Sequence, residues 1–247
     1  MDGICVGGGL PIAHFLGKKH LLPANEWLGK FMGGGDECIG LAAYLCLFTG
    51  CRKDISFDMK DLVLASASPR RAELLQQIGL QFMVCAADID ETLQQGETPR
   101  DYVLRMAREK AQAIKQRYPE AVVLASDTSV VIDGTVLGKP SDEEDAHRML
   151  SLLSGRTHLV LTSVCVLAED EQCAVNQTEV LFREVSSSEM ASYWASGEPA
   201  DKAGAYAIQG VGAKFVQRIN GSYSGVMGLP LFEVAAMLGK AGVVSDS

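Results

Sequence analysis

Positive charge is scarce in this chain. Its 22 lysines and arginines face 31 acidic residues, a formal net charge of -9 at pH 7. Nucleic acid and anionic membranes are held by spread-out cationic surface, so neither is an expected partner. An anionic ligand must instead be small, gripped locally and metal-bound. Long hydrophobic runs are missing as well: the longest apolar stretch, Ile39 to Thr49, falls short of the roughly 20 residues that cross a bilayer. The seven cysteines include no C-x-x-C pair and no histidine stands at a zinc spacing, which argues against a disulfide framework or a structural zinc site and points to a reducing cytoplasm. His14, His20, His147 and His158 have no neighbouring pattern of a catalytic triad, so covalent catalysis is not expected. There is no P-loop, and Gly7-Gly8-Gly9 lacks the spacing and the following helix of a dinucleotide fingerprint.

The 247 residues suffice for one large domain or two small ones with a proper core. Residues 1–58 differ in texture from the rest. They hold 11 of the 25 glycines and Cys5, Cys38, Cys46 and Cys51, and no helical or alternating period persists in them. They also lack the cationic start of a secretory signal and the Arg/Ser richness of a transit peptide. We expect 1–58 to be a poorly structured extension of unknown role, or the product of an upstream start, and 59–247, beginning at an internal Met59, to be the working domain.

From Met59 onward strands and helices mix without a regular βαβ repeat, which predicts an α/β fold with a mixed sheet. Leu62–Ala65 reads as a strand, Pro69–Ile78 as a helix stopped by Gly79, and Phe82–Cys85 as a second strand. Thr98-Pro99-Arg100-Asp101 looks like a capped start for a long helix ending at Tyr118-Pro119. Val122–Ala125 reads as a short strand, followed by a hairpin of Val130–Ile132 and Val136-Leu137 about Asp133-Gly134. Ser141 to Glu144 is a capping box for a helix through Leu153; strands over 158–167 and 175–185, a helix over 188–195, a strand over 214–219 and a last helix over 229–238 complete the pattern.

What chemistry there is begins at the end of the first strand. Ser66-Ala67-Ser68-Pro69-Arg70-Arg71 joins hydroxyls, two guanidiniums and a helix start, with Ser68 as the expected cap. Unpaired N–H groups, the helix dipole and planar cationic forks all favour phosphate there. Ser126-Asp127-Thr128 stands where the Val122–Ala125 run gives out; Asp127 either orients a water or a divalent ion there, or caps a turn. Asp88, Asp90 and Glu91 form an acidic cluster suited to a hard cation or simply to solvent. Lys110 shares the apolar face of the long helix with Ala107, Ala111 and Ile114, so it either snorkels or enters a polar pocket. Lys139, in Gly138-Lys139-Pro140, is a point charge for phosphate or a solvated loop lysine. The stretch Glu198 to Gly210 has residues too small for core and too polar for a spacer, and reads as a loop that packs backbone against a ligand.

Six ordered blocks, Leu64 to Arg71, Ala107 to Ala111, Ala125 to Thr128, Gly138 to Pro140, Asp201 to Tyr206 and Gly228 to Pro230, closely resemble the Maf-like nucleotide pyrophosphatases. The resemblance runs from Met59 to near Leu238. It implies an elongated mixed sheet flanked by helices, as in inosine triphosphatases, with a central nucleotide cleft. It further implies hydrolysis of a nucleoside triphosphate to the monophosphate and pyrophosphate, with Mg²⁺ or Mn²⁺, by a cytoplasmic enzyme that is often a homodimer. On the matching positions Asp127 is the proton acceptor. Arg70, Thr128 and Gln209 fall on positions tied to nucleotide choice, in the combination of the branch that prefers dTTP and UTP. Ser66, Arg71, Glu91, Lys110 and Lys139 match further polar positions of the pocket, with Glu91 and Asp127 as metal ligands. The alternatives are a pyrophosphatase for 7-methyl-GTP or a purine analogue, and a non-enzymatic nucleotide-binding regulator of cell division.

Overall fold

A computed structural model describes residues 61–243. The expectation for residues 1–58 lies outside them. Strand β1 (Leu62–Leu64) lies parallel to β2 (Met83–Val84) on one side and to β3 (Val122–Ile132) on the other. The remaining pairings are antiparallel: β4 (Thr135–Leu137) folds back on β3, and β5 (Thr157–Leu167), β6 (Glu171–Phe182) and β7 (Val216–Asn220) follow in turn. The result is one seven-stranded mixed sheet in the order β2-β1-β3-β5-β6-β7, with β4 beside β3.

Both faces are covered by helices, because successive residues of a strand point to opposite sides and both sides here are apolar. On one face the long helix α2 (Pro99–Arg117) sets Ala107, Ala111 and Ile114 against Val63, Ala65, Val123, Ala125 and Cys165. These small side chains let helix and sheet approach closely. On the other face α1 (Pro69–Gln77) and α6 (Leu231–Lys240) bury Leu74, Leu75, Val234 and Leu238 against Leu64, Leu124 and Val164. Farther along, α3 (Glu143–Leu153) and α4 (Ser187–Trp194) enclose Val130, Val160 and Phe182.

One feature of the pairing creates the cleft. Strand β5 holds one edge of β3 without interruption from Val123 to Val131. The opposite edge is shared: β1 pairs only with Val122–Leu124, and β4 only with Val130–Ile132. Between them no strand among the described residues pairs with Ala125 to Ser129 on that side, so the sheet is split along the middle of β3. Past Leu64 the chain leaves the sheet at Ser66 and starts α1, which widens the opening.

Several sequence expectations need correction. The short strand at Val122–Ala125 and the hairpin arm at Val130–Ile132 are one strand, because pairing with β5 keeps polar Ser126 to Ser129 extended. Helix α3 is capped by Asp142, whose side chain accepts from Asp145 N–H, rather than by Ser141. The capping box belongs to α4, where Ser186 and Glu189 satisfy each other's backbone N–H groups. Ser68 stands at the N-cap of α1 with no side-chain cap bond. A short helix α5 (Tyr223–Met227) lies where no element was expected, and Glu198 to Ala205 coil into 3₁₀ turns rather than an open loop. Cys165 and Cys173, directly opposite across β5 and β6, pair as a disulfide, although no disulfide framework was expected.

Candidate active site

The split in the sheet is a cavity of about 520 Å³. Because it opens onto the free edge of β3, residues from both faces of that strand reach it. Asp127 faces α2, whereas Ser126 and Thr128 face α1 and α5. The nine residues that the family resemblance assigned to the pocket all line this one space: Ser66, Arg70, Arg71, Glu91, Lys110, Asp127, Thr128, Lys139 and Gln209.

Asp127 is buried, and Lys110 of α2 donates to its Oδ1 at 2.8 Å. The same ammonium lies 2.7 Å from Glu91 Oε1, so one cation bridges two carboxylates. Lys110 therefore enters the pocket rather than snorkelling past it. Ala107 and Ala111 of the same helix pack against the sheet and Lys110 beside them is buried, and a buried ammonium needs carboxylate partners. Glu91 is exposed and sits on the loop before α2; Tyr102 Oη donates to its backbone oxygen at 2.9 Å, and Arg105 ties the loop further through Glu97 and the Thr92 carbonyl. Asp88 and Asp90 do not line the cavity, and the acidic cluster contributes Glu91 alone.

At the α1 corner, Ser66 Oγ accepts from Ser68 N–H at 3.2 Å and from Arg71 Nη1 at 3.0 Å. Arg71 also donates to the Gly228 carbonyl at 2.9 Å and to Thr128 Oγ1 at 3.3 Å. Its planar fork thus fastens three separate segments around the split. Burial lowers the Arg71 pKa; Asp127 opposes this, Arg70 adds to it and Glu91 opposes it again. Arginine stays protonated under such shifts, so the pocket keeps a fixed cation. Gly228 has a left-handed φ of +118°, which turns its carbonyl toward both Arg71 and Ser126 Oγ.

The far rim is Asp201, whose Oδ2 lies 3.9 Å from Arg70 Nη1, together with Lys202, which pairs with Asp201. Toward β4 the lining turns apolar: Val130, Val136, Leu137, Val160 and Ile208, with Tyr206 among them. Cationic and apolar side chains thus line the same cavity.

Tyr206 and Gly228 line the cavity within segments that the sequence had marked, whereas Tyr102 and Ser129 were not singled out. Tyr102 was findable, since it stands two helical turns before Lys110 and so on the same face. Burial and the nearby negative charges of Asp127 and Glu91 push its hydroxyl up to about 12, so it remains a neutral donor. Ser129 had no local signal, because its pairing partner in β5, Leu161, lies far along the chain.

Residues 61–241 match the model of the family described as Maf-like protein. A dTTP/UTP pyrophosphatase of Anaeromyxobacter dehalogenans is 58% identical over 186 residues, 73% of this chain and 94% of that protein. One from Colwellia psychrerythraea is 52% identical over 191 residues, 75% of this chain and 90% of its own length. A third, from Myxococcus xanthus, is 54% identical over 186 residues, 75% of this chain and 95% of that protein. The six sequence blocks, the cleft they line and these likenesses agree: the chain belongs to the Maf-like protein family.

Proposed function

We propose that this protein hydrolyses nucleoside triphosphates, dTTP and UTP in preference, to the monophosphate and pyrophosphate. The observation that carries the reading is the convergence of Arg70, Arg71, Lys110 and Lys139 with the single buried carboxylate of Asp127 in one cavity that also has apolar lining. The names of the relatives supply the choice of nucleotide. The triphosphate lies across the start of α1, with the base toward Val136, Leu137 and Ile208 near Thr128 and Gln209. Fixed cations offset the charge that develops on the phosphates. Asp127 takes a proton from water, the water oxygen bonds to the α-phosphorus, and the bond to the bridging oxygen of the β-phosphate breaks. Pyrophosphate then leaves.

Glu91 and Asp127 offer hard oxygen donors that already converge on one cation, the Lys110 ammonium, and so suit Mg²⁺ or Mn²⁺ with the substrate's own oxygens. Such an ion would neutralise phosphate charge. The family resemblance also supports a cytoplasmic setting and a homodimer, and no helix among the described residues is long and apolar enough to cross a membrane. The Cys165–Cys173 disulfide and Glu171 beside it lie outside the cleft.

Pyrophosphate release from dTTP, UTP and 7-methyl-GTP at matched concentration, with Mg²⁺ or Mn²⁺, tests the proposal. Turnover of the two pyrimidine nucleotides should dominate. Preference for 7-methyl-GTP would replace the substrate assignment, and tight binding without release from any of them would favour a non-enzymatic regulator.

A further inference from the structure

A carboxylate outside the cavity hydrogen-bonds the segment that carries Gln209. Glu198 Oε1 accepts from Tyr193 Oη at 2.6 Å and from Gly212 N–H at 3.0 Å, while its Oε2 accepts from Val211 N–H at 2.8 Å. Tyr193 Oη itself accepts from Ala207 N–H at 3.1 Å. One Glu–Tyr pair thus ties down the backbone two residues before Gln209 and two to three residues after it. Tyr193 is buried and packs edge-on to Phe215 at 5.1 Å, so the pair is anchored in the core. The glycines around Gln209 follow from this arrangement. A Cβ on Gly210 would come within 2.2 Å of Glu198 Oε2, and one on Gly212 within 2.6 Å of Tyr193 Oη. The chain closes on the carboxylate because neither position carries a side chain.

We propose that Glu198 is a positioning residue for nucleotide choice: through Tyr193 and the backbone of 207–212 it holds Ala207, Ile208 and Gln209 at the base end of the cavity. This rests on the nucleotide reading above. Interactions with the base are made alike in the bound substrate and the transition state, so loosening them raises KM and leaves kcat nearly unchanged. Glu198→Gln keeps the shape but replaces one accepting oxygen with an NH₂ that opposes a backbone N–H. Tyr193→Phe leaves the carboxylate on Val211 and Gly212 and removes only the link to Ala207.

The test uses the full chain, its E198Q and Y193F variants and the double variant. The readouts are kcat and KM for dTTP, UTP and dATP, dTMP binding by calorimetry, and the Tm. We expect E198Q to raise KM for dTTP and UTP about 10-fold with kcat within about twofold, and to lower the preference over dATP by a similar factor. Y193F should shift the same quantities in the same direction by about threefold, and the double variant should be no worse than E198Q, because both act through one network. A lower Tm in both variants with KM and base preference unchanged would overturn the proposal. So would an equal loss for all three nucleotides. A wild-type chain that binds dTMP but releases no pyrophosphate would sink the hydrolase reading alone, and about 10-fold weaker dTMP binding by E198Q would still support Glu198. Absence of dTMP binding by the wild type would overturn both.

Discussion

Lys110 is the side chain on which the site's electrostatics turn. Its ammonium is shared by Asp127 and Glu91, so removing either carboxylate leaves it one partner, whereas removing the lysine leaves a buried carboxylate without its cation. The two variants should therefore behave differently. Asp127→Asn is expected to abolish pyrophosphate release while changing the Tm by only a few degrees, since Glu91 retains the lysine. Lys110→Met is expected to reduce turnover at least about 100-fold and also to cost about 3 kcal/mol in urea unfolding at pH 7, the usual consequence of orphaning a buried charge. Equal stability of the two variants would contradict this account.

His158 offers a second test at single side chains. It is 2% exposed, pairs through Nε2 with Tyr206 Oη at 2.9 Å and packs edge-on to Phe182. Burial lowers its pKa to about 4 from the ordinary 6.5. The unfolded chain takes up the proton first, so the neutral folded form loses stability as pH falls from 6.5 toward 4 and has its full contribution above 6.5. The loss amounts to about 3 kcal/mol. Denaturant unfolding at pH 7 and pH 4.5 should show it, and His158→Asn should flatten that part of the profile.

Among the secondary elements, β3 and the Glu198 to Gly212 segment define the cleft, and they meet at Gly204. This residue has φ +68°, donates its N–H to the Gly138 carbonyl at 3.0 Å, and an added Cβ would lie 2.9 Å from the Val130 side chain. Gly204→Ala combines a left-handed backbone with a core clash. It should lower stability by about 2 kcal/mol and raise KM by displacing Lys202 and Tyr206 together. Thermal unfolding and dTTP kinetics on one preparation would check both parts. By contrast, Ser186→Ala removes one side of the α4 capping box on the outer surface. It should lower stability by about 1 kcal/mol with KM unchanged.

At the scale of the molecule, the first described strand begins at Leu62, and the family match begins at residue 61. A protein starting at Met59 is accordingly expected to keep the Tm and the kcat/KM of the full chain within about twofold. A marked loss of either would give residues 1–58 a part in the fold or the site. The elements themselves were largely legible because amphipathic spacing and Pro/Gly punctuation are local. Thr98-Pro99 opens α2 as read, and Asp133-Gly134 turns the β3–β4 hairpin with Asp133 at φ 51°. The unbroken β3 was not legible, since Ser126 to Ser129 look like a loop until β5 supplies a hydrogen-bonding partner about 35 residues later.

The amino-acid order alone carried the chemistry. Hydroxyls and guanidiniums at a helix start, a lysine on an apolar helix face and an isolated aspartate between two strand-like runs are short-range patterns that survive without coordinates. Folding decided where these pieces meet. Asp127 came to face Lys110 because the pleat of β3 points it at α2, and Arg71 came to bind Gly228 because two strands leave the same edge of β3 open. Pairing across distant segments is selected by burial and hydrogen bonding of the entire sheet, which no window of neighbouring residues contains.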